Sequence, residues 1–294
     1  LKDKLKVSRI IVLCAALVLA ACAPVAPKQP EQMAVTVSVL PQAYFVQKIA
    51  GDLVSVQVIV GTGDSPHTYE PTAEQMRVMT KSRLYFSIGV EFEEAWLPRF
   101  MAANPALEIV DSAAGVQRLA MAAGHAENGE EVENDPHIWF SPARVKIVSR
   151  NIADALAAAD PVHADDYRAN LETWLKEIDA VDADVRAALK STPRSTFLVI
   201  HPAWGYFASE YGLTMLSVET HGQEPGPEEL GAVLSLAREN GVTTVFVQKG
   251  ISQKLAQSVA EQLGGAKVVE LDPMPGDWSA NMRLLAAQLA EALR

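Results

Sequence analysis

Three histidines and one aspartate, His67, His137, His201 and Asp272, have side chains of the types that ligate a transition metal, and each is next to a proline. Proline fixes its own φ and pushes the residue before it towards extended backbone, so a ligand beside it sits in a stiff loop. In Asp135-Pro136-His137-Ile138-Trp139-Phe140-Ser141-Pro142, His137 follows such a proline, and Ser141-Pro142 reads as an N-cap followed by the first position of a helix. Taken singly, each histidine has an ordinary reading as a satisfied surface or core residue. The four lie about seventy residues apart and match no short local zinc motif. Only the fold can bring them together.

The elements that must position them follow from periodicity. Near-continuous apolar runs at Val35 to Leu40, Val54 to Val60, Leu84 to Val90 and Leu107 to Val110 read as strands, with helical patterns at Gln42 to Ala50, Thr72 to Ser82 and Glu91 to Ala103 between them. Helices follow from Pro142 to Ala159 and from about His163 to Lys190. In the longer one, Leu171, Trp174, Leu175, Ile178, Val181, Val185 and Leu189 fall on one face. The βα rhythm returns after Pro193, with strands at Thr196 to Ile200, Thr214 to Val218, Val242 to Val247 and Lys267 to Leu271. Helices are expected at Trp204 to Glu210, Glu228 to Glu239, Ser252 to Gln262 and Trp278 to Leu293, with Gly241 and Gly264 at C′ positions. The expected fold class is α/β: two lobes with mainly parallel sheets joined by one long helix, and a cleft between the lobes. His67, His201 and Asp272 then fall after strands, at the sheet ends where open α/β folds bind ligands, and His137 reaches the same crevice from the first lobe.

The N-terminus reads differently. Lys2, Lys4, Lys6 and Arg9 precede an apolar run from Ile10 to Ala20 that is too short to span a bilayer comfortably and fits an export signal. Leu19-Ala20-Ala21-Cys22 resembles a lipobox, which makes Cys22 the expected lipid anchor. The expected division is 1–22 signal and lipobox, 23–33 flexible tether, 34–162 first lobe, 163–192 linking helix and 193–294 second lobe. With Cys14 in the signal and Cys22 acylated, no disulfide is expected. The 294 residues, 49% hydrophobic and 21% charged, supply ample core, and a formal charge of −11 excludes a nucleic-acid partner.

The segments Ser65-Pro66-His67-Thr68-Tyr69-Glu70-Pro71, Asp135 to Pro142, His201-Pro202-Ala203-Trp204-Gly205-Tyr206-Phe207-Ala208 and Leu271-Asp272-Pro273 resemble, in order, the four ligand segments of the zinc- and manganese-binding solute receptors of ABC transporters. That resemblance implies that His67, His137, His201 and Asp272 bind one metal ion between the lobes and deliver it to a membrane permease. The carrier would be exported, held to the membrane through its lipid anchor, monomeric and without catalytic activity. Three imidazoles and a carboxylate suit tetrahedral zinc, whereas manganese favours oxygen-rich, higher-coordinate sites. In the family the third position is His in zinc receptors and Glu in manganese receptors, so His201 points to zinc, with manganese or iron as the alternative.

Zinc receptors of this kind often carry a long His-rich acidic loop before the second ligand, but Gly124 to Asp135 holds only His125 among five acids and reads as a solvated loop. His163 and His221 are expected at the surface, and Glu70 and Glu224 are not expected to ligate. The rival readings are a zinc hydrolase and a metal-dependent surface adhesin. Three histidines and an open position would generate hydroxide, but Asp272 would fill that position, and the chain has neither an HExxH helix nor a nucleophile elbow.

Overall fold

The strand β1 (Met33–Val39) is buried along most of its length, as a strand covered on both faces must be. It pairs in parallel with β2 (Val54–Val60), with Val37 opposite Val58, and with β3 (Leu84–Ser87), which pairs in turn with β4 (Glu108–Asp111). Crossovers run through α1 (Leu40–Ala50), α2 (Ala73–Met79) and α3 (Glu91–Ala103). The computed structural model describes residues 32–121, 134–219, 225–249 and 253–294. The expected signal, Cys22, nearly all of the expected tether, His125, His221, Glu224 and most of the acidic stretch lie outside the described residues.

Two helices then follow without an intervening strand, α4 (Pro142–Ala159) and α5 (Ala164–Leu189). Ser141 caps α4 by accepting from Arg144 N, with Pro142 in the first turn, as the sequence predicts. With 26 residues, α5 is about 39 Å long. Asp165 and Asp166 in its first turn and Arg186 in its last complement the helix dipole. Its buried stripe of Tyr167, Trp174, Ile178, Val181, Val185 and Leu189 packs against α1 and α4.

The second sheet contains β5 (Thr196–Val199), β6 (Thr214–Ser217), β7 (Thr244–Gln248) and β8 (Lys267–Leu271), connected by α6 (Gly205–Tyr211), α7 (Pro227–Glu239) and α8 (Gln253–Gln262), and the chain closes with α9 (Trp278–Ala292). Strand order among the described residues is β2-β1-β3-β4 in one sheet and β6-β5-β7-β8 in the other, so the two lobes share one topology. All pairs are parallel. In each sheet the connections reverse direction beside the first strand, which opens a crevice at the carboxyl ends there. Among the described residues no helix is long and apolar enough to cross a membrane.

One hydrophobic core runs through both lobes. Phe197, Val199 and Phe246 on one face of the second sheet join the first lobe, α5 and α9, whereas Leu198, Ile200, Val245 and Val247 face α7 and α8 in a smaller cluster. Trp278 at the start of α9 lies 5.6 Å from Trp174 of α5 and 5.9 Å from Phe45 of α1, between ring centroids.

Several boundaries differ from the sequence reading, most by one or two residues, and three of the differences have a visible physical cause. The run Leu84 to Val90 stops being a strand at Ser87, because the Ile88 and Gly89 N–H groups turn to donate to the Glu93 carboxylate and Gly89 adopts φ 86°. The strand expected from Val242 starts at Thr244, since Val242 N still closes α7 by donating to Ala237 O. The helix expected from Thr72 to Ser82 spans only Ala73–Met79, with Thr72 and Gln75 capping its start reciprocally.

Candidate metal centre

His67 sits in the loop between β2 and α2, His137 opens a short 3-10 turn at Ile138–Phe140, and His201 lies two residues beyond β5. The fold brings all three together. Their ring centroids are 5.0 to 5.7 Å apart, and one ligand atom from each lies within 4.8 Å of the others. His67 Nε2 and His201 Nε2 face each other at 3.2 Å. Two nitrogens bound tetrahedrally to one zinc ion at roughly 2.0–2.1 Å would be about 3.3 Å apart.

The other nitrogen of each ring is spoken for. His67 Nδ1 meets Glu91 Oε1 at 2.9 Å, His137 Nδ1 meets Asp135 Oδ1 at 2.8 Å, and His201 Nδ1 meets Glu219 Oε2 at 3.0 Å. A carboxylate on Nδ1 fixes that proton there, directs the Nε2 lone pair inward and raises the basicity of the ring. Each brace has a local cause. Asp135 also accepts the backbone N–H of His137 at 2.9 Å, so a two-residue Asx turn sets both backbone and ring. Glu219 is carried to His201 by the extension of the β5–β6 pairing through Glu219 N and Ile200 O. Glu91 is the first residue of α3, where a carboxylate also suits the helix dipole.

His137 and His201 are 2% and 6% exposed, whereas the His67 side chain is 22% exposed, so the cluster opens to solvent on the His67 side. Burial pulls His201 below the ordinary imidazole value, against the opposing hydrogen bond to Glu219. Burial works to raise the Glu91 carboxyl, but the hydrogen bond from His67 and its charge outweigh it and hold Glu91 low. Neutral imidazoles backed by carboxylates are what a divalent cation requires.

Asp272, directly after β8, stands outside the group of three. One of its oxygens, Oδ1, accepts from Met274 N at 2.9 Å, and its carbonyl accepts from Asn281 Nδ2. Glu70 is exposed and His163 pairs with Asp160, so neither joins the cluster. The sequence reading did not identify the three bracing carboxylates. Asp135 had a visible signal in its i, i+2 spacing to His137, whereas Glu91 and Glu219 lie on other elements and leave no local trace.

Residues 35–292 match the ZnuA family, described as zinc-uptake complex component A, periplasmic. The chain belongs to this family. A crystal structure of ZnuA superposes with a TM-score of 0.84 at 39% identity, covering 90% of this chain and all of that one. A ZnuA deletion mutant with zinc bound superposes with a TM-score of 0.83 at 40% identity, covering 90% and 98%. The zinc-binding lipoprotein AdcA of Streptococcus pneumoniae serotype 4 is 25% identical over 280 residues, 92% of this chain and 55% of AdcA. The chain therefore spans about half the length of that relative.

Proposed function

We propose that this chain is the extracytoplasmic receptor of an ABC importer, binding one zinc ion through Nε2 of His67, His137 and His201 and the carboxylate of Asp272. The observation that carries the reading is the convergence of three imidazoles, each braced by a carboxylate at Nδ1. Zinc is cargo here: it is held and handed to a permease, with no reaction performed on it. Three nitrogens and one carboxylate favour zinc over manganese by ligand type and by affinity order. In this reading residues 1–22 are a lipoprotein signal, Cys22 is the acylated anchor, 23–33 is a tether, and the monomeric carrier comprises lobes 34–162 and 193–294 joined by 163–192.

Elemental analysis of gently purified protein tests the proposal directly. One zinc per chain is expected, with His137→Ala weakening zinc by more than a hundredfold in a chelator competition. Absence of stoichiometric metal together with an unchanged titration in the variant would overturn it.

A further inference from the structure

Asp272 poses a geometric problem. It follows β8, the edge strand of the second sheet, whereas His201 follows β5, two strands away. At roughly 4.8 Å between neighbouring strands, the chain leaves the sheet about 10 Å to one side of the histidine cluster. The carboxylate accordingly stands outside the group of converging nitrogens. Something beyond the sheet must hold the turn after β8 towards the cleft.

Trp139 does so from the opposite lobe. Two residues after His137, it is 1% exposed, and its indole Nε1 donates at 2.9 Å to the carbonyl of Pro273, the residue next to Asp272. Its own carbonyl accepts from the indole Nε1 of Trp278, which is fully buried at the head of α9. The segment from Pro273 to Trp278 is thus clipped at both ends to a single residue of the His137 loop. The Trp139 ring also packs edge-on against His137, 5.3 Å between centroids. Within the turn, Met274 N holds Oδ1 of Asp272 and leaves Oδ2 as the oxygen the turn does not use.

We propose that Trp139 is a positioning residue for the fourth ligand: its indole N–H sets how far the Asp272 carboxylate reaches towards the ion held by the histidines. This rests on the receptor reading above. The hydrogen bond spans the cleft, so it fixes the distance between the second and fourth ligand loops directly and not through the sheets. It is part-buried, with the indole itself enclosed, so removal of the donor takes from the Pro273 carbonyl its partner across the cleft and frees the turn to drift towards its own sheet edge.

The test is a double-mutant cycle on zinc affinity. Trp139→Phe, Asp272→Asn and the double variant are titrated against a chelator, alongside a protein carrying benzothienylalanine at 139, which keeps the bicyclic ring and replaces the N–H by sulfur. The isostere covers the case in which Trp139→Phe does not fold. Loss of the N–H is expected to weaken zinc about tenfold, equivalent to about 1.4 kcal/mol, in the Asp272 protein and less than twofold in the Asp272→Asn background. An equal loss in both backgrounds would make Trp139 merely structural and overturn the proposal, as would no loss in either. If Asp272→Asn has no effect while His201→Ala abolishes binding, this inference fails and the receptor reading stands. If His201→Ala also leaves zinc binding intact, the receptor reading itself fails.

Discussion

Gly205 shows how closely the ligand segments support one another. A Cβ built there would lie 2.7 Å from Oδ2 of Asp135, the carboxylate that braces His137, so the absence of a side chain lets the start of α6 close over that carboxylate. Its neighbour Tyr206 accepts from Leu119 N and donates to the Asp135 carbonyl, holding the same residue from the second lobe. Gly205→Ala is therefore expected to displace Asp135, loosen His137 and weaken zinc roughly 10- to 100-fold, the usual cost of disturbing the group behind a metal ligand. Competition titration, with circular dichroism to check the fold, reads this out. His201 supplies a second expectation. Burial sets its folded pKa below that of the unfolded chain, so as pH falls the unfolded state takes up its proton first. The stability this gives the metal-free protein is complete above about pH 6.5 and is lost as pH drops below it. Zinc affinity falls in the same direction, because a protonated imidazole cannot coordinate. Titrations between pH 5 and 8, corrected for chelator protonation, should show weaker binding at the acid end; a flat profile would contradict histidine ligation.

At the scale of elements, Glu93 joins fold to site. It is 4% exposed in the first turn of α3 and accepts from Ile88 N, Gly89 N and Ser38 Oγ, so one carboxylate ends β3, starts α3 and ties both to β1. Glu91, which orients His67, stands two residues before it. Glu93→Ala strands the buried Ile88 N–H, worth about 1–3 kcal/mol when left without a partner, and also removes the acceptor of the part-buried Gly89 N–H and of Ser38 Oγ. A loss of about 3 kcal/mol in urea denaturation is expected, together with weaker zinc binding through a loosened Glu91; Glu93→Gln, which keeps an acceptor, should lose less on both counts. Most element positions were legible because their signals are local. Ser141-Pro142 marks the start of α4, and the apolar stripe from Trp174 to Leu189 marks α5. The end of β3 was not legible, since a side chain five residues downstream captures the Ile88 N–H and no hydrophobic pattern records that competition. The same limit applies to the site. Four proline-braced ligand types could be read from the chain, but Glu91 and Glu219 reach their histidines only through tertiary structure.

For the whole molecule, the continuous core decides how unfolding proceeds. Two lobes with separate sheets could melt independently, yet Phe197, Val199 and Phe246 of the second sheet share one cluster with β1, α1, α5 and α9. The polar junction reinforces this: Glu177 of α5 takes Lys48 Nζ of α1 at 2.6 Å and Ser279 Oγ of α9 at 2.7 Å. Exposing either lobe alone would therefore uncover the apolar face of the other. The metal-free protein is expected to be folded and to unfold in one calorimetric transition, since its cores form without the ion. Zinc, binding only the folded form, adds about 2.7 kcal/mol at a hundred times its dissociation constant. For a chain of this size that corresponds to a rise in Tm of roughly 5–10 °C, growing with free zinc and absent in His137→Ala. Two resolved transitions, only one of which moves with zinc, would mean that the shared core does not couple the lobes.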